Sequence, residues 1–63
     1  MTGYRVYMIG SDEHIKEAEN IECATDKEAC AEAEGMLGVY PAAEVWEGRR
    51  LVARIRAAGR SGR

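Results

Sequence analysis

From Tyr4 to Ile9 the side chains alternate, with Tyr4, Val6 and Met8 on one parity and Arg5, Tyr7 and Ile9 on the other. Aromatic and β-branched residues at period two predict a strand. Gly10-Ser11-Asp12-Glu13 reads as a turn. Gly10 tolerates a positive φ, and Ser11 and Asp12 can bond to nearby backbone. The return strand is expected from about His14 to Cys23. Ile15, Ile21 and Cys23 share a parity that Ala18 breaks, so a bulge near Glu19-Asn20 is expected.

The period then changes. Ala29, Cys30, Ala33, Met36 and Leu37 fall within an arc of roughly 120° on a helix of 3.6 residues per turn. Glu28, Glu32 and Glu34 project away from that stripe. Thr25-Asp26-Lys27-Glu28 predicts the helix start: the Thr25 hydroxyl can accept from the Glu28 N–H, and the Glu28 carboxylate can reach back to the Thr25 N–H. Asp26 and Glu28 also suit the positive end of the helix dipole. The helix is expected over Asp26 to about Leu37, with Gly38 just past its end and Pro41 preventing continuation. Gly35 costs about 1 kcal/mol relative to alanine inside a helix. It reads as tolerated, the other reading being close approach of a second backbone.

Residues 43–47 and 50–55 predict a second hairpin. A two-residue Gly48-Arg49 turn pairs Glu47 with Arg50, Trp46 with Leu51 and Val45 with Val52. In that register one face carries Trp46, Leu51, Ala53 and Ile55, with Glu44 at its margin, and is expected to meet the helix. The other carries Val45, Val52, Arg50 and Arg54. Residues 58–63 lack periodicity and are expected as a flexible basic tail. The predicted architecture is α+β: a single ββαββ domain over 1–57, its four-stranded, mainly antiparallel sheet covered on one face by one helix.

Such a sheet leaves its second face open. Tyr7, Ile9, Val45, Val52, Arg50 and Arg54 are the candidate interaction surface there. Size makes that face matter. A chain of 63 residues buries only about 60% of the surface exposed on unfolding, and small scaffolds are commonly supplemented by disulfides, a metal or a partner. Two cysteines and one histidine leave a partner subunit as the expected supplement. The chain shows no basic-then-apolar leader and no run near the roughly 20 apolar residues of a membrane span. A cytoplasmic protein with reduced thiols is expected.

The net charge of −2 conceals an asymmetry. All eleven acidic residues lie between Asp12 and Glu47, and six of the nine basic residues are arginines from Arg49 onward. An anionic partner or self-complementarity would each account for it. A nucleic-acid module ordinarily has a basic pI. The pI here is about 5.3 and the helix is acidic, so nucleic acid is disfavoured.

No catalytic, cofactor or metal site is expected. Cys23 and Cys30 are seven apart, which does not match zinc spacing. They read as buried thiols whose pKa neighbouring Glu22, Asp26 and Glu28 would raise. Asp12, Glu13 and His14 could orient a general base, but they lack a nucleophile and read as a solvated hairpin tip. Gly35 and Gly38 lack the phosphate-loop signature. Trp46 reads as a core anchor; were it exposed, it would be a hot spot for a partner.

The chain resembles a group of small uncharacterised bacterial proteins in Tyr4-Arg5-Val6-Tyr7, in the turn ending at His14-Ile15, in Thr25-Asp26-Lys27-Glu28-Ala29, and in Glu44-Val45-Trp46 followed by Arg50-Leu51-Val52-Ala53-Arg54. The resemblance implies a compact hairpin–helix–hairpin unit and carries no activity. The expected function is that of a small non-enzymatic protein that self-associates, as a homodimer, through the open sheet face or an edge strand. The alternative is a binding module for another protein or, less favoured, for nucleic acid, through the Arg-rich hairpin.

Overall fold

The computed structural model describes residues 1–57. The basic tail expected over 58–63 lies outside the described residues. Strands β1 (Thr2–Ile9) and β2 (Ile15–Cys23), helix α1 (Asp26–Met36), and strands β3 (Ala42–Glu47) and β4 (Arg50–Arg56) follow in that order. The four strands form one open antiparallel sheet in the order β2-β1-β3-β4. The fold is therefore α+β with ββαββ order. None of the described helices is long and apolar enough to cross a membrane.

The helix begins where its cap places it. The Glu28 N–H donates to Thr25 Oγ1 at 3.1 Å. The returning carboxylate goes one residue further back than expected and accepts from the Ala24 N–H at 3.1 Å. Leu37 caps the far end with its N–H on the Glu34 carbonyl, and Gly38 takes φ +58°, a conformation cheap only without a Cβ. Ala29, Ala33 and Leu37 are buried against the sheet, with Met36 packed partly beside them. Alanines at the contact let the helix axis approach closely. Tyr4, Val6, Met8, Ala43 and Val45 complete the core from the sheet. Each large apolar side chain so buried contributes about 1.5–3 kcal/mol.

The sheet has two irregularities, and neither falls at Glu19-Asn20. In the first hairpin, β1 and β2 keep register from Thr2↔Cys23 to Met8↔Glu17 and then shift to Ile9↔Ile15, which extrudes Lys16. The turn is closed by the Glu13 N–H on the Gly10 carbonyl at 2.8 Å and the Gly10 N–H on the His14 carbonyl at 2.9 Å. Glu13, rather than Gly10, adopts the positive φ of 68°. This is a three-residue hairpin loop whose last residue is left-handed.

In the second hairpin the turn is as expected, with Gly48 at φ +59° and Glu47 opposite Arg50. Trp46 faces Leu51, but Val45 faces Ala53 rather than Val52. Val52 is the extruded residue. A single extra residue inverts the faces of the strand beyond it. Beyond it Ala53 and Ile55 join Val45 and Ala43 on the helix side, where β3 pairs with Val6 and Met8 of β1. Trp46 and Glu44 point to the open side.

Candidate interaction surface

The open side of the sheet is built from alternate residues of four strands. β1 supplies Arg5, Tyr7 and Ile9. By register, β2 supplies Ile15, Ala18 and Asn20, β3 supplies Ala42, Glu44 and Trp46, and β4 supplies Leu51, Arg54 and Arg56. Ile15 is 58% exposed and Leu51 47%. Tyr7 and Trp46 are half-buried, while Ile9 is buried.

Arg5, Asn20, Glu44, Trp46 and Arg54 on this side already have partners in the chain. Arg5 donates to Asn20 Oδ1 at 3.0 Å, and its guanidinium carbon lies 5.6 Å from the centre of the Tyr7 ring, within cation–π range. Glu44 takes the Trp46 indole N–H at 3.1 Å on one oxygen and Arg54 at 3.2 Å on the other. Shallow depressions mark the surface, among them one of about 490 Å³ with Arg5, Tyr7 and Asn20 in its lining and two others. One, of about 330 Å³, is lined by Tyr7, Ile15, Glu44, Trp46 and Gly48. The other, of about 270 Å³, has Ile9 and Ala42 among its lining residues, together with Glu13, Pro41, Arg54 and Arg56.

Of the six candidate surface residues, Tyr7, Ile9 and Arg54 lie on the open side. The other three do not. Val45 is fully buried beneath the helix, and Val52 packs against the core. Arg50 points to the helix side, where both terminal nitrogens donate to Asp26 at 3.2 Å and Nη2 also reaches Glu47 at 2.6 Å. Tyr4 adds its hydroxyl to Asp26 Oδ1 at 2.7 Å. This network ties β1, the helix start and the second hairpin together. It holds the Asp26 carboxyl below its usual range, chiefly through Arg50 and then Tyr4. The Tyr4 phenol is pushed up to about 12, first by its bond to Asp26 and then by burial.

Glu44, Trp46 and Leu51 are surface residues that the regular register of the second hairpin hides. One signal did exist. Glu47 with Arg50, and Glu44 with Arg54, can both stand opposite one another only if one residue of β4 is extruded.

The remaining candidate chemistry is superficial. At the first turn Asp12 accepts from Lys16 Nζ at 2.8 Å and from the His14 N–H at 3.1 Å. Those bonds, Lys16 first, lower its pKa. Every one of these residues is exposed. Cys23 and Cys30 are free thiols, Cys23 buried and Cys30 half-buried. Burial first, then Glu32 and Glu28, raises the Cys23 thiol; Glu22 and Asp26 do not contribute. Among the described residues, no three His, Cys, Asp or Glu side chains group as metal ligands would.

Comparison of the chain with models of known protein families, with curated proteins and with solved structures returns no match.

Proposed function

We propose that this is a small non-enzymatic cytoplasmic protein whose working form is a homodimer paired through the open side of the sheet. One observation carries the reading. The open side mixes exposed apolar groups with polar groups of which Arg5, Asn20, Glu44, Trp46 and Arg54 are already bonded to each other. Burying Arg5, Asn20, Glu44 and Arg54 would therefore leave few unpaired groups, and that penalty is what ordinarily opposes covering a polar face.

Size supports the same reading. Four strands about 4.8 Å apart and some 25 Å long give a face on the order of 500 Å² in projection. Side-chain interleaving enlarges it toward the roughly 600–800 Å² that each partner contributes to a stable interface.

The edges are poorer candidates. β2 carries Glu17, Glu19 and Glu22 with Lys16 extruded, and β4 carries three arginines with Val52 extruded. Pairing either edge with its own copy sets like charges against one another, and bulges and charges are how proteins blunt edges.

The second reading is a different protein on the same face, favoured by Trp46 and Tyr7 standing beside arginines. Nucleic acid is less favoured because Arg50 and Arg54 are already engaged with carboxylates.

Light scattering and sedimentation test the proposal. The chain should run at twice its 6.9 kDa mass at high concentration, in high salt as well as low, and Trp46→Glu should run as a folded monomer. A wild-type monomer at every concentration would overturn it.

A further inference from the structure

We infer that the twofold axis of the dimer runs along the seam between β1 and β3, so that Glu13 of each protomer meets Arg56 of a second copy. This rests on the open-face reading and adds its orientation and its specificity.

The strand order supplies the first argument. β2 and β4 occupy opposite edges of the sheet. A twofold axis lying in the interface and parallel to the central strands exchanges left and right, so it lays β2 of one copy over β4 of the other. On the open side β2 and its turn present Glu13 and Glu22, whereas β4 presents Arg54 and Arg56 and no acid. This orientation brings acidic half onto basic half twice over, as an isologous interface requires. An axis perpendicular to the strands in the same plane would instead set β2 over β2 and β4 over β4. Sheets stacked with strands nearly aligned are also one of the two favoured packings.

The second argument is local. Glu13 and Arg56 line the same depression of about 270 Å³ on the open side. Among the described residues neither side chain makes an ion pair, although Arg54 beside them does. Glu13 also holds φ 68°, a position at which glycine or asparagine is the inexpensive choice. A charged residue at a strained turn, on the rim of the open side and without an ion-pair partner among the described residues, fits a contact made in the assembly. Ile9 and Ala42, both buried, line the same depression and lie on the β1 and β3 strands where the axis would pass.

Charge reversal measured by sedimentation equilibrium tests the orientation. Glu13→Arg and Arg56→Glu should each weaken the dimer by about tenfold, and the double reversal should restore it. Glu13→Gly should raise the melting temperature of the dilute monomer while weakening the dimer, a combination that a purely structural role for Glu13 would not produce. If both single reversals leave the dimer unchanged while Trp46→Glu dissociates it, the orientation is wrong and the open-face reading stands. The orientation also falls if the double reversal is as weak as the two singles combined. A wild-type monomer overturns both.

Discussion

Arg50 holds the carboxylate of Asp26 with both terminal guanidinium nitrogens at 3.2 Å, joining the last strand to the first turn of the helix. The Tyr4 hydroxyl completes the arrangement from β1. Lysine cannot reproduce a two-pronged bond, so Arg50→Lys should lower the melting temperature although the charge is kept. Differential scanning fluorimetry would read the change.

The same network sets the stability profile at both ends of the pH scale. Asp26 has its pKa lowered from the ordinary 3.8 on folding. Its contribution is complete above the unfolded value and is lost as pH falls through the folded one. Tyr4 is raised from 10.0 to about 12, so its contribution is complete below pH 10 and disappears as pH rises through 12. Tyr4→Phe should remove the last step of the phenolate absorbance titration, and Asp26→Asn should flatten the acid limb of the melting curve. Steps unchanged in both variants would refute the assignment.

Trp46 and Val45 are neighbours in sequence with opposite surroundings. A charge at Val45, fully buried under the helix, should unfold the domain, because an unpaired buried charge costs several kcal/mol. A charge at Trp46 should leave the far-ultraviolet circular dichroism intact. A hairpin without the Val52 bulge predicts the reverse outcome, so the pair of variants reads the register directly.

Gly35 lies in the helix with nothing within 4 Å of where its Cβ would be. Gly35→Ala should therefore stabilise the protein by about 0.5–1 kcal/mol, which excludes the reading in which another backbone approaches there. Urea denaturation of the two proteins would measure it.

The helix start offers a companion test. Thr25→Ala should cost about 1 kcal/mol through loss of the cap. Leu37→Ala, emptying a buried position at the other end, should cost about 2–5 kcal/mol. A reversed order would mean that the stripe from Ala29 to Leu37 is not the packed one.

Signals confined to a few neighbouring residues were legible in the sequence. Thr25 with Glu28 located the helix, Gly48-Arg49 located the tight turn, and the Tyr4-Val6-Met8 parity located the core side of β1. Features set by pairing over longer range were not legible in the same way. The extrusion of Val52 depends on whether Trp46 or Val45 can fit beneath a helix that presents alanines, and hydrophobicity alone favours the indole. The indole also has an N–H to satisfy, which Glu44 does two residues away on the open side, whereas Val45 has no such need. That choice moved Val45, Val52 and Arg50 off the candidate surface and brought Trp46, Glu44 and Leu51 onto it. The left-handed turn residue went to Glu13 instead of Gly10 because the loop closes one residue later than its glycine suggests.

The central position of β1 has a kinetic corollary. Strand β1 precedes both of its neighbours in the chain and is flanked by β2 on one side and by β3 on the other, and its pairing of Arg5 with Trp46 joins residues roughly forty positions apart, a costly loop to close. The first hairpin and the helix can form as local units while synthesis continues, but one edge of β1 stays unpaired until β3 emerges. Docking of the second hairpin should therefore be the slow step of folding. Substitutions at Val45 or Ala43 should slow refolding, and changes in the Asp12 turn, formed before that step, should also act on the refolding rate and leave unfolding nearly unchanged.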